Sequence, residues 1–273
     1  MTPTTFDHVV DCREAAQVKR ADAIAKAAHE RIFRCELLRD RWVLHKYEQI
    51  HGVRPARLTL SVAAAGGLWA LGEAFEPRYP QDWGISNVIS NPNETTADVS
   101  DGLLYAAFAS PLLALALTPT AERYADALVV ADALVVTAGA TQGAKSLFSR
   151  VRPFERAAED NTWTPEELEP MLSKLGTADA HHSFWSGHTA MVGAAAGSLS
   201  GLCLGARHGP CTTAWVRWGS IPAAFVLTGA QGSLRVAAGR HYPTDVLVGG
   251  AVGLTTGYLS ALVWNRTPRR SGR

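Results

Sequence analysis

Three short clusters in this chain have side chains that could hold and attack an anion. Lys145 lies seven residues before Arg152, which is followed by Pro153. On one continuous helix that spacing would put both cations on the same face, about 10 Å apart along the axis, where their long side chains can converge on one dianion. The second cluster, Ser186-Gly187-His188-Thr189, opens an apolar run. A Ser cap followed by Gly presents free backbone N–H groups at the positive end of a helix, which suits an anion. His188 on that first turn could give a proton to a departing oxygen. The third cluster is RVAAGRHYPTD, from Arg235 to Asp245. Gly239 and Pro243 break the helix there, so that Arg235 and His241 can both turn inward. The four-residue spacing from His241 to Asp245 permits a carboxylate to fix one ring nitrogen and leave the other free to attack. Each cluster alone has a plain reading as interfacial or surface polar residues. Together they define a more specific site.

Helices must position these residues. Six apolar stretches follow Arg57, at roughly 58–75, 103–118, 125–144, 189–206, 218–234 and 246–264, against a requirement of about 20 apolar residues for a membrane span. The last is clean. Glu73 interrupts the first, Pro111 the short second, Asp126 and Asp132 the third, and Pro222 and Gln231 the fifth. Loop charges strengthen the membrane reading. The N-terminal region is basic, the tail carries Arg266, Arg269, Arg270 and Arg273, and the connection after the fourth stretch carries Arg207 and Arg217. The opposite loops hold Glu76, Asp82, Glu94, Asp98 and Asp101. That asymmetry puts both termini in the cytoplasm and all three clusters at the outer face.

The expected fold is therefore all-α, a transmembrane six-helix bundle over residues 58–264. A charged helical N-terminal cytoplasmic extension (1–57) precedes it and a basic tail (265–273) follows. The extension holds eleven Lys/Arg and eight Asp/Glu and has no apolar core of a signal peptide. The net charge of +1 gives no reason to expect a nucleic-acid partner. Cys12, Cys35, Cys203 and Cys211 show no metal-ligand spacing and read as ordinary small side chains in a reducing place. In the loop 154–186, Thr164, Pro165 and Glu167 predict a capped short helix. His181 and His182 read as plain loop residues. The doubled ADALVV (125–136) is a local echo. GATQGAKS (139–146) imitates a phosphate loop but lacks its Gly-Lys pair and preceding strand. Asp132 is a candidate intramembrane acid.

The pattern Lys-x6-Arg-Pro, then Ser-Gly-His, then Arg-x5-His-x3-Asp resembles the signature of the type-2 phosphatidic acid phosphatase superfamily, over about the last two-thirds of the chain. That family includes membrane lipid phosphatases, soluble class A acid phosphatases and vanadium-dependent haloperoxidases. The resemblance implies that His241 is the nucleophile of a phosphohistidine intermediate, Asp245 its orienting partner and His188 the acid and then the base. It makes Lys145, Arg152, Ser186, Gly187 and Arg235 the phosphate holders, with no metal or other cofactor. Two positions depart from the pattern: Trp185 stands where Pro is usual before Ser-Gly-His, and Leu234 where Ser is usual before the Arg. The expected function is metal-independent hydrolysis of a phosphomonoester or diphosphate, with a lipid such as phosphatidic acid or a polyprenyl diphosphate as substrate. The site would lie in the inner (cytoplasmic) membrane and face the periplasm or exterior. A haloperoxidase, a soluble acid phosphatase and a non-catalytic phosphate-binding membrane protein are the alternatives. Substrate tail and oligomeric state are not legible in the sequence.

Overall fold

The computed structural model describes residues 55–74, 94–117, 123–205, 211 and 213–265, all within one compact unit, Arg54–Thr267. The expected N-terminal extension and the basic tail lie outside the described residues, except for the boundary positions 55–57 and 265. Every regular element described is helical. The long helices are α1 (Pro55–Ala74), α2 (Glu94–Leu117), α3 (Arg123–Phe148), α6 (Gly187–Gly205), α7 (Ala214–Ala237) and α8 (Pro243–Asn265). Between α3 and α6 lie the short α4 (Pro153–Glu159) and α5 (Pro165–Leu168), with 3-10 turns at Glu169–Lys174 and Ala178–His181.

Several helices extend past their apolar runs. The second begins at Glu94, so Asp98 and Asp101 stand on a helix and not in a loop, and Pro111 is carried inside it. The helix α7 runs unbroken through Pro222 and Gln231. Gln231 is tolerated because its amide donates to the Ser100 carbonyl at 3.1 Å and to the Ser100 hydroxyl at 2.9 Å. Among the described residues, two stretches are long and apolar enough to cross a membrane. They are Asp126–Glu159, which runs across the non-helical residues 149–152, and Pro243–Val263.

Small residues set the packing of α6 on α8. Gly249, Gly253 and Gly257 recur every four residues, so they share one face of α8. A Cβ added to them would come within 2.6 Å of Ser186 O, 2.0 Å of Ala190 O and 2.2 Å of Ala194 O, respectively. Gly197 on α6 meets Leu254 O in the same way, at 2.6 Å. The two backbones therefore touch directly, an arrangement favoured where dispersion rather than apolar burial must hold helices together. A separate apolar core of Ala127, Val130, Ala133, Leu134, Met191, Val192 and Ala195 joins α3 to α6.

One expectation fails at the far end of α6. Cys203 and Cys211 are paired in a disulfide, with Cα atoms 5.1 Å apart. Reading cysteines by motif spacing detects frameworks and metal sites. It does not detect a single bond that ties the end of α6 to the connection leading into α7.

Candidate active site

The three clusters meet at one end of the bundle. The helix α3 stops at Phe148 because Ser149 turns to φ 34 and Pro153 cannot continue an inherited helix. Arg152 therefore sits past the helix, on extended backbone as the cap residue of α4. The expectation that Lys145 and Arg152 share a helical face is thus corrected: they converge because the chain turns between them. GATQGAKS lies wholly within α3, as a helix and not a phosphate loop.

Arg152 is buried. Its Nε donates to the Asp179 carbonyl at 2.7 Å and its Nη2 to the Asp179 carboxylate at 2.6 Å. Burial opposes the charge of Asp179, but Arg152, with Lys145 and Lys174, outweighs it and holds the carboxyl below its usual range. Lys145 reaches the start of α6, where a Cβ on Gly187 would lie 4.0 Å from Nζ.

Ser186 caps α6, its hydroxyl accepting from the Thr189 hydroxyl at 3.0 Å, while its own N–H donates to the Asp245 carbonyl at 3.1 Å. The second and third clusters are thereby tied backbone to backbone. Trp185, in the place of the usual Pro, donates its indole N–H to the Thr141 hydroxyl at 2.9 Å. That bond pins the wall of the site to α3.

The third cluster bends as its residues dictate. The helix α7 ends at Ala237, Gly239 takes φ 65, and Pro243 opens α8. A Cβ on Gly239 would strike the Trp163 ring at 2.5 Å, so glycine is required both by conformation and by space. His241 falls in this turn, 2% exposed, ahead of the helix that carries Asp245. His241 Nδ1 lies 3.6 Å from Asp245 Oδ2, beyond hydrogen-bond length, and makes no hydrogen bond. Burial pushes the His241 imidazole well below its ordinary value, and the charges of Arg152 and Arg235 add to the effect. Both effects disfavour the charged ring, and a nitrogen nucleophile attacks in its neutral form.

Four further side chains complete the arrangement and lie outside the predicted set. Arg150, fully buried, donates to Asp245 Oδ1 at 2.6 Å and to the Thr244 hydroxyl at 2.7 Å, and stacks 4.2 Å from the Tyr242 ring centroid. Ser183 donates to Asp245 Oδ2 at 2.5 Å, beside the Tyr242 N–H at 3.1 Å. Asp245 is therefore held on both oxygens. Asp179 pairs with Arg152, as above. Asp101 on α2 uses one oxygen for two partners, His188 Nε2 at 2.9 Å and Arg235 Nη1 at 3.1 Å. Leu234 offers no hydroxyl, and Ser233 does not replace it: its hydroxyl is exposed and bonds the Gly229 carbonyl of its own helix.

A rim surrounds the site. Phe154, Ala157, Trp163, Met171 and Ala180 form a small core of their own within residues 153–181. The predicted capping box is present, with Thr164 and Glu167 bonded reciprocally at 3.3 and 2.7 Å. His181 Nδ1 is buried without a partner.

Residues 126–269 match the sequence profile of the PAP2 superfamily, more than half of the chain, and the protein belongs to that family. Phosphoric ester hydrolysis is the general activity of such proteins. No curated protein and no solved structure matches the chain.

Proposed function

We propose that this protein is a membrane phosphatase that removes a phosphoryl group from a lipid phosphomonoester or diphosphate through a phosphohistidine on His241. The observation that carries this reading is the burial of His241 beside a doubly anchored Asp245, with the cations Arg152 and Arg235 close enough to act on it and Lys145 at the start of α6. His241 faces Asp245 through Nδ1, which leaves Nε2 to attack phosphorus. As the N–P bond forms, the P–O bond to the leaving group breaks and His188 supplies its proton. Water then cleaves the N–P bond, His188 takes up the proton, and inorganic phosphate leaves. The three cations and the N–H groups at the start of α6 stabilise the charge on the transferring oxygens, which is most of what phosphoryl transfer asks of a protein.

The membrane reading rests on the outer helix faces. Leu60, Trp69, Phe108, Leu112, Phe225, Val226, Leu247 and Leu259 are exposed large apolar residues on α1, α2, α7 and α8. So extensive an apolar surface belongs against lipid. In this reading six helices span the bilayer and loop charges turn the site outward, to the periplasm or exterior. The Cys203–Cys211 disulfide weighs against that orientation, because it would then face the reducing cytoplasm.

The test is phosphate release from phosphatidic acid, farnesyl diphosphate and p-nitrophenyl phosphate in detergent, by wild type and His241→Ala, with and without chelator. Chelator-resistant release from the lipids, lost in His241→Ala, is expected. Undiminished release by His241→Ala would sink the nucleophile assignment.

A further inference from the structure

Phe184 and Trp185, the two residues that lead into the cap of α6, reach α3 on both sides of Lys145. Trp185 donates its indole N–H to the Thr141 hydroxyl at 2.9 Å. The Phe184 ring meets the Phe148 ring edge to face, with centroids 5.1 Å apart, and the Trp185 ring meets Phe184 in the same manner at 6.0 Å. Thr141, Lys145 and Phe148 recur at i, i+4 and i+7 along α3, so they share one face of it. The segment therefore grips that face about one turn before Lys145 and again about one turn after it.

What the grip holds in place is the anion-binding start of α6. The Ser186 N–H is taken by the Asp245 carbonyl, and the Thr189 N–H turns back to the Ser186 hydroxyl at 3.5 Å. The N–H groups of Gly187 and His188 bond to nothing among the described residues. They are the pair left for an anion. A Cβ added to Gly187 would lie 3.2 Å from the Thr141 methyl carbon and 4.0 Å from Lys145 Nζ. Thr141 thus touches the first turn of α6 with its methyl and Trp185 with its hydroxyl, while the ammonium of Lys145 ends beside the same turn.

Both partners need this restraint. Lysine carries a point charge on a flexible four-carbon stem, so its position is set by what packs along it. The proline usual at position 185 would fix the backbone ahead of the cap through its ring, whereas tryptophan leaves φ free. At this position the side chain supplies what the backbone does not. We propose that the Trp185–Thr141 hydrogen bond is a positioning device of the phosphate cage: it holds the first turn of α6 against α3, so that Lys145 and the N–H groups of Gly187 and His188 close on one phosphate. Neither Trp185 nor Thr141 touches the substrate. The proposal rests on the phosphatase reading for the identity of the anion.

The test measures orthophosphate affinity by calorimetry and phosphatidic acid hydrolysis, both in detergent, for wild type, Trp185→Phe, Thr141→Val, Thr141→Ser and the Trp185→Phe/Thr141→Val double variant. Trp185→Phe and Thr141→Val each remove one side of the bond and keep most of the bulk. Each should weaken orthophosphate binding and lower kcat/KM by roughly 3- to 10-fold, the size of one neutral hydrogen bond. Thr141→Ser keeps the acceptor and should retain most of the affinity. The double variant should lose no more than either single one, because both remove the same bond. Trp215→Phe, at a side chain 90% exposed on α7, controls for the exchange itself and should match wild type. A bond that only supports the fold would lower the melting temperature and leave the phosphate affinity of the folded protein unchanged. That result, or losses that add in the double variant, overturns the proposal. Wild type that binds orthophosphate but releases none from any phosphate ester would overturn the phosphatase reading and leave the positioning proposal to the binding measurements. Wild type that neither binds orthophosphate nor hydrolyses an ester overturns both.

Discussion

Replacing Gly253 with alanine adds one methyl group at the tightest point between α6 and α8. Its carbon would lie 2.0 Å from Ala190 O, 2.8 Å from Ala190 C and 2.9 Å from Ala190 Cα. All three are backbone atoms and cannot rotate away. Non-bonded atoms rest at about 3.5 Å, so the helices must separate by about 1 Å or more. Overpacking of this kind costs roughly 1–3 kcal/mol, and the rigid neighbours put Gly253 at the upper end. For a domain of this size that corresponds to a fall of about 6–12 °C in Tm. The Ser186 N–H to Asp245 carbonyl bond joins the same two helices one turn or more away, and a displacement of about 1 Å in a catalytic arrangement can cost about 100-fold in rate. Gly229→Ala on α7 is the control. Nothing lies within 4 Å of its added methyl, so it should gain about 0.5–1 kcal/mol from helix propensity. Thermal unfolding in detergent and phosphate release measure both. A Gly253→Ala protein that melts and turns over like wild type would show that this contact does not set the site.

Arg150→Met should cost about 3–5 kcal/mol in thermal unfolding, because it strands the buried Asp245 carboxylate; a loss below about 1 kcal/mol would contradict the pairing. Asp101→Asn should lower kcat about tenfold with little change in KM, since it loosens the orientation of His188; a change confined to KM would mean that Asp101 serves substrate binding instead. Because burial lowers the pKa of His241, the folded state disfavours its protonation. Stability is then complete above about pH 6.5 and falls as pH drops below it, by up to about 1.4 kcal/mol per unit from this group. His241→Asn should lose that slope in melting curves between pH 5 and 7, and wild-type kcat/KM should hold below pH 6.5 if neutral His241 is the attacking group.

The site was readable in sequence where its residues sit at helix ends marked by Gly or Pro. Gly239 and Pro243 gave the break that presents His241, and Thr164 with Glu167 gave the cap in the rim. What escaped was set by distant partners. Asp101 finds Arg235 across 134 residues, Ser183 finds Asp245 across 62, and Arg152 finds Asp179 across 27. No periodicity links such pairs. Arg150 is not visible from spacing, because a continuous helix over 145–152 would point it away from Lys145 and Arg152, whereas the turn at Ser149 gives its neighbourhood a different geometry. The helical class followed from the apolar runs, but their ends did not: the mostly polar stretch from Glu94 to Asp101 belongs to α2, which packs on α6 and α7.

The small core of residues 153–181 bears on how the site is held. Trp163 belongs to that core and also rests on Gly239, two residues from His241. The chain on either side of the rim is stitched inward as well, by Arg152 N–H to the Ala180 carbonyl and Ser183 N–H to the Arg150 carbonyl. Lifting this rim would pull the turn that carries His241 out of place with it. The rim is thus built into the turn that carries His241. The Asp101 side chain on α2, which holds His188 and Arg235, is by contrast 46% exposed.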